Sequence, residues 1–300
     1  MNLIPAMQLA VASAKGSPGV TSLALALGLV WPGQAIIGEL DPAGADLAAR
    51  VPVPGAGGMA VMAAATGALR GQELAECLQP ATATCSLLLG PSEPDASART
   101  VEALAAALPV AARAADVAGI WDLGRLWPTS PAWAALTGCD LVSIVVRPAA
   151  GELAHAIPLL EHLLRSGLPV GVIVAAPGRR RRAAHPDNEV ANAIAERLGT
   201  AVPILGRVPF DPLGVSMAER LMVHWAGRCA LGGAARNLLR AIATAGGTDD
   251  AASGEDRTGH LVALSPTVPR DAGPADTWSI APPPVADGAA SCPSVEVGRP

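Results

Sequence analysis

The residues best suited to chemistry stand together near the amino terminus, in the run Lys15-Gly16-Ser17-Pro18-Gly19-Val20-Thr21-Ser22. An apolar stretch precedes them and an Ala/Leu-rich stretch follows at once, so the glycines fall at a strand-to-helix turn. Such a turn aims free backbone N–H groups and the positive end of a helix dipole at one point, which suits phosphate. The common phosphate loop reads G-x-x-x-x-G-K-[ST]. Gly19 and Thr21 fit it, Ala14 stands for the first glycine, and Val20 stands for the lysine. The bare pattern also fits a tight strand-to-helix turn that binds nothing. Lys15 is the sole lysine beside twenty arginines, and a compact ammonium meets a phosphate cradle differently from a planar guanidinium. Carboxylates close two later apolar runs: Glu39-Leu40-Asp41, followed by Asp46, and Ile120-Trp121-Asp122-Leu123-Gly124.

The elements that must position these groups alternate along the chain. Strand candidates are 8–14, 34–40, 83–89, 117–123, 140–146, 170–176 and 202–208, nearly all-apolar, as strands covered on both faces should be. Helical patterns lie between them, at about 20–30, 56–79, 97–114, 150–166, 187–198, 212–224 and 228–244. Strict alternation predicts a three-layer α/β domain with a mainly parallel sheet flanked by helices. Ligands of open parallel sheets bind outside the carboxyl ends of the strands, where Lys15, Asp41 and Asp122 would converge. After residue 245 the pattern stops. Residues 246–300 hold seven Gly, eight Pro, eight acids and only three Arg, and predict a disordered acidic tail. Trp278 and Ile280 within it could form a short docking motif or plain linker.

Composition narrows the field further. The 300 residues are 51% hydrophobic but only 2% aromatic, with no Tyr, which excludes a Tyr/Lys reductase pair. The sole lysine lies in the glycine loop, not on a later strand as a protein kinase requires. With the tail set aside, residues 1–245 balance to zero charge, unlike a generally basic nucleic-acid binder. Five widely spaced Cys with no C-x-x-C, and no charged-then-apolar leader, point to a reducing cytoplasm. Mean hydropathy is +0.38. Even so, no stretch supplies the roughly 18 clean apolar residues a membrane span requires.

At this point the sequence resembles the MinD/ParA-type P-loop ATPases, whose deviant phosphate loop reads x-K-G-G-x-G-K-[ST]. The resemblance covers roughly residues 8–240. It implies a P-loop fold, ATP and Mg²⁺ as ligands, and a homodimer that engages a protein partner. Lys15 matches the signature lysine that reaches across the dimer to the partner's phosphates, and Thr21 the Mg²⁺-binding hydroxyl. Glu39-x-Asp41 looks like the D-x-D after the second strand, its later carboxylate orienting the attacking water. Asp122 with Gly124 looks like the Walker B and switch II position, and Asp140 to Pro148 like the strand that follows. Val208-Pro209-Phe210-Asp211-Pro212 resembles the late P-x-D loop beside the base. The resemblance therefore assigns Lys15 and Asp41 to catalysis and Thr21 and Asp122 to the metal. It assigns Gly16, Ser17, Gly19, Val20, Thr21 and Ser22, with Pro209 and Asp211, to the nucleotide. The Asp41 to Asp46 spacing looks nearest the CpaE-like branch associated with pilus assembly. Val20 departs from the pattern by removing the lysine that contacts the nucleotide's own phosphates, a contact of roughly 1.5–3 kcal/mol. Val174 to Pro177 lacks the usual adenine-reading Asn, and Pro18 deletes one N–H. These departures imply weak binding and slow or absent hydrolysis. The rival is a pseudo-ATPase scaffold that binds protein partners without turnover.

Three further features have alternative readings. Arg179-Arg180-Arg181-Arg182 could be a solvated loop, a contact to DNA or anionic lipid that brings the chain to a membrane surface, or a nucleotide contact. The last helix, with Leu231, Ala235, Leu238, Leu239 and Ile242 on one face, could lie on a membrane or close one face of the sheet. His155 and His162 sit seven apart without a third ligand at metal spacing, as ordinary surface or core histidines do.

Overall fold

The computed structural model describes residues 6–16, 18–53, 58–64, 71–175, 186–222 and 224–246. Ser17, the Arg179–Arg182 run and the 247–300 tail lie outside them. Eight strands form one sheet: β1 (Gln8–Ser13), β2 (Ala35–Glu39), β3 (Gln79–Pro80), β4 (Cys85–Leu88), β5 (Ala118–Arg125), β6 (Leu141–Val146), β7 (Val170–Ala175) and β8 (Ile204–Val208). Their order is β3-β4-β2-β5-β1-β6-β7-β8, all parallel except the short β3 against β4. The helices are α1 (Val20–Leu29), α2 (Leu47–Arg50), α3 (Gly58–Ala64), α4 (Gly71–Cys77), α5 (Pro94–Leu104), α6 (Ala107–Ala114), α7 (Ala150–Arg165), α8 (Pro186–Leu198), α9 (Pro212–Glu219) and α10 (Ala230–Gly246), with 3₁₀ turns at Pro131–Gly138 and Trp225–Gly227.

Period-two alternation along the buried strands builds two cores, one on each face of the sheet. On β5, Ala118 and Ile120 belong to the layer that includes α1, α9 and α10, while Trp121 and Leu123 belong to the layer that includes α3, α5 and α7. This is the three-layer parallel architecture that strand–helix alternation requires. α10 buries Leu231, Ala235, Leu238 and Ile242 against the sheet, so its apolar face closes the fold and is not presented to a membrane. No helix among the described residues is long and apolar enough to cross a membrane.

The helical pattern over 97–114 resolves into two helices. Pro109 has no N–H to return to Ala105, so the chain turns at Ala105–Ala106 and Pro109 falls in the first turn of α6, where no such bond is needed. α5 starts earlier than the pattern implies because Glu93 caps it, accepting from Asp95 N at 3.0 Å and Ala96 N at 2.7 Å. The 56–79 pattern likewise holds two described helices, α3 and α4.

Candidate functional site

The strand order reverses about β1: β2 and β5 lie on one side of it, β6 to β8 on the other. The β1–α1 loop therefore opens at the topological switch point, where parallel sheets place ligands. Gly19 starts α1 at φ +95° and offers no side-chain cap, and the first turn carries no acid. The opening N–H groups and the positive dipole end thus face the loop with no carboxylate of their own to satisfy them.

Register brings the carboxylates to that loop. Asp122 of β5 pairs with Val11 of β1 and with Glu39 of β2, and its side chain follows Ile120 onto the α1 face. There it accepts a hydrogen bond from the Thr21 hydroxyl and another, at 2.9 Å, from Gly124 N. Asp122 is buried, and burial pushes its pKa up to about 6; those two bonds oppose the shift and the charges of Asp41 and Asp46 add to it.

Asp41 sits just beyond β2. Its Oδ1 accepts from Ala43 N at 2.8 Å, and burial followed by the charge of Asp46 raises its pKa despite that bond. Gly124 has φ +55°, and a Cβ there would occupy the place of the Asp41 carboxylate. Only glycine lets the end of β5 come this close to the chain leaving β2. Asp41, Asp122, Thr21 and Gly124 thus form one cluster.

The other assigned residues have more specific fates. Glu39 is a structural anchor: Oε1 accepts from Asp46 N at 2.9 Å and Leu47 N at 2.8 Å, and Oε2 from Gly90 N at 3.3 Å. Burial nevertheless lifts its pKa to about 7. Lys15 is exposed and does not join the carboxylate cluster; its Nζ lies beside Gly151 in the first turn of α7, 3.8 Å from where a Cβ would stand. Val20 is 5% exposed and packs into the apolar layer, so only its backbone can face a ligand. The Ser22 hydroxyl accepts from Arg50 Nη2 at 2.7 Å, and Arg50 also pairs with Glu219 Oε1 at 2.7 Å.

Beside the cluster, between the β1–α1 loop and the chain leaving β8, lies a cleft of about 420 Å³. Gly19 and Ser22 line one wall, Pro209, Phe210 and Asp211 the other, and Ala175 lies at the end of β7. Phe210, the only phenylalanine, is 72% exposed. The Asp211 carboxylate is already engaged: it accepts from Gly214 N at 3.0 Å and Leu231 N at 2.9 Å, joining the starts of α9 and α10. Those bonds hold its pKa below the ordinary carboxylate value even though burial opposes them. Arg147, which the sequence reading did not single out, also lines the cleft. Its signal was available: a cation immediately after the apolar run 140–146, at the carboxyl edge of the sheet.

No protein-family model and no curated protein sequence matches the chain. Solved structures do. A ParA-family ATPase from Chlorobium tepidum aligns with a TM-score of 0.61 at 18% identity, over 79% of this chain and 97% of its own. The cell-division ATPase MinD of Pyrococcus furiosus aligns at 0.60 and 17%, over 80% and 99%. This is the MinD/ParA-type P-loop fold. A third structure with the MinD/ParA-type fold, MinD of Pyrococcus horikoshii with Mg-ADP, aligns at 0.61 and 17% identity, over 80% and 97%.

The site fits a metal–nucleotide pair better than a metal alone. Among the described residues no group of three His, Cys, Asp or Glu side chains could hold an ion. Thr21 and Asp122 are two neighbouring oxygen donors, and Mg²⁺ usually completes its six positions with waters and phosphate oxygens. His155 and His162 take no part; the His162 ring instead meets Trp133 edge-on at 5.1 Å.

Proposed function

We propose that the chain is an ATP-dependent dimerisation switch of MinD/ParA type with weak or no hydrolysis. Residues 1–245 would form the nucleotide domain and 246–300 a disordered tail. The Thr21–Asp122 hydrogen bond beneath the uncapped, glycine-started α1 carries the reading. It places a hydroxyl and a carboxylate where a helix N-terminus already favours phosphate. Thr21 would ligate Mg²⁺ directly and Asp122 through its water shell. Bound Mg²⁺ supplies positive charge to the phosphates. The backbone of Gly16, Ser17, Gly19, Val20 and Ser22 would cradle those phosphates, Pro209 and Asp211 would border the base, and Asp41 would orient a water. The P. horikoshii MinD structure contains Mg-ADP and a structure of McdA from Cyanothece contains ATP, which supports ATP and Mg²⁺ as ligands.

The place of Lys15 supports the dimer. An ammonium beside the positive end of α7 is electrostatically misplaced, and a phosphate from a second copy would relieve it. The wider role we propose is positioning, partitioning, or pilus or secretion assembly with a protein partner. The Arg179–Arg182 run is a proposed contact to an anionic surface, DNA or membrane.

The test is light scattering and calorimetry of the full chain with a non-hydrolysable ATP analogue and Mg²⁺, beside Lys15→Ala. The expected result is that nucleotide converts the unmodified chain from monomer to dimer, whereas Lys15→Ala does not dimerise. A Lys15→Ala chain that binds and dimerises like the parent refutes the role of Lys15. Val20, whose side chain is spent in the core, favours the second reading of a scaffold without turnover. The absence of binding heat at millimolar nucleotide would establish that reading instead.

A further inference from the structure

Val20 leaves the phosphate site without a cation on its own helix, and the fold supplies one from elsewhere. Register pairs Ala12 of β1 with Ile144 of β6. Both strands run toward the same edge, so Arg147, one residue beyond β6, leaves the sheet beside the loop that begins at Ala14. Arg147 lines the same cleft as Pro18, Gly19 and Ser22, against the N-terminal turn of α1.

Among the described residues that line the cleft, Arg147 is the one cation. Arg50, Glu219 and Asp46 form a closed set of ion pairs. Asp211 is held by backbone N–H groups of α9 and α10. Lys15 lies away beside Gly151. The Arg147 side chain is 47% exposed and pairs with Glu152 at 3.5 Å, longer than the about 2.7–2.9 Å of a strong charge-assisted bond. A polyphosphate offers paired oxygens that match the guanidinium fork.

We infer that Arg147 replaces the missing phosphate-loop lysine, binding the polyphosphate of a nucleotide from the neighbouring strand rather than from α1. The inference rests on the nucleotide reading above and names the residue that makes it workable with Val20 in the loop. Arg147 serves binding through charge and geometry. It approaches from the β6 side, so it meets the nucleotide from a different direction than a lysine at position 20 would.

The test is calorimetric titration of the full chain, Arg147→Ala and Arg147→Lys with Mg²⁺ and a non-hydrolysable ATP analogue, then with ADP and with adenosine. Thermal melts confirm that each variant is folded. The expected result is a loss of about ten- to a hundredfold for Arg147→Ala with the triphosphate. The loss should shrink for ADP and vanish for adenosine, with Arg147→Lys falling between. An Arg147→Ala change of less than twofold for the triphosphate overturns the inference and leaves the nucleotide reading intact. Equal losses for adenosine and triphosphate also overturn it, because they would locate Arg147 at the base or in general packing. No binding by the unmodified chain at millimolar nucleotide overturns both.

Discussion

Glu39 poses a conflict that can be measured. Its carboxylate accepts three backbone N–H bonds, two of them at the start of α2, which favours the charged form. It is also only 3% exposed and level with Asp122 on the next strand, which disfavours that form. Burial wins, and the pKa rises from 4.5 to about 7. An acid whose folded-state pKa is raised binds more protons folded than unfolded between those two values, so stability falls as pH rises through that window. Below 4.5 there is no penalty, and above 7 it is complete. At about 1.4 kcal/mol per pH unit the full penalty is about 3 kcal/mol. Glu39→Gln cannot ionise. Its Oε1 can keep the bonds to Asp46 N and Leu47 N, while its amide faces Gly90 N–H, as the proton of a neutral Glu39 would. Because the neutral acid also lacks that third bond, its loss is already contained in the raised pKa. Glu39→Gln should therefore exceed the parent by no more than about 1 kcal/mol at pH 5 and by about 3 kcal/mol at pH 7.5. Urea unfolding followed by tryptophan fluorescence at the two pH values reads this directly, as a midpoint shift with unchanged slope. Equal destabilisation at both pH values would refute the reasoning, because it would mean that the N–H bonds outweigh burial and Glu39 is an ionised helix cap.

Two other substitutions separate ligand chemistry from architecture. Thr21→Val removes the hydroxyl bonded to Asp122; it should cost at least tenfold in nucleotide affinity with Mg²⁺ and less than threefold in EDTA, as read by calorimetry. Asp211→Ala removes the acceptor for Gly214 N and Leu231 N and should lower stability by about 2 kcal/mol in chemical denaturation, with or without nucleotide.

Much of this molecule is legible in its sequence, because strand–helix alternation and continuous apolar runs leave few other architectures for burying the chain. Seven of the eight strands, the strand–loop–helix unit around Gly19, and the carboxylates at strand ends follow from local pattern. The two-residue β3 and four-residue α2 do not, being too short to carry a period. The break before Pro109 could have been read from proline chemistry alone.

What only the tertiary structure decides is which groups meet, because that depends on strand order and register, which local periodicity does not encode. Glu39 and Asp41 are two residues apart and look equivalent. One carboxylate is consumed by the N–H groups of Asp46, Leu47 and Gly90, while the other borders Thr21, Asp122 and Gly124. Asp211 lies in a loop that resembles a base-binding motif, yet its oxygens hold two helices together. Val20 loses a cation from α1, and the adjacency of β6 to β1 places Arg147 in the same cleft. The sequence by itself determined the layers and the end of the sheet at which chemistry gathers. Long-range packing decided the division of labour among the charged side chains, because hydrogen bonding there joins residues as far as 169 positions apart in the chain, as in the Arg50–Glu219 pair, and Pro209 to Asp211 face Gly19 and Arg147 across one cleft.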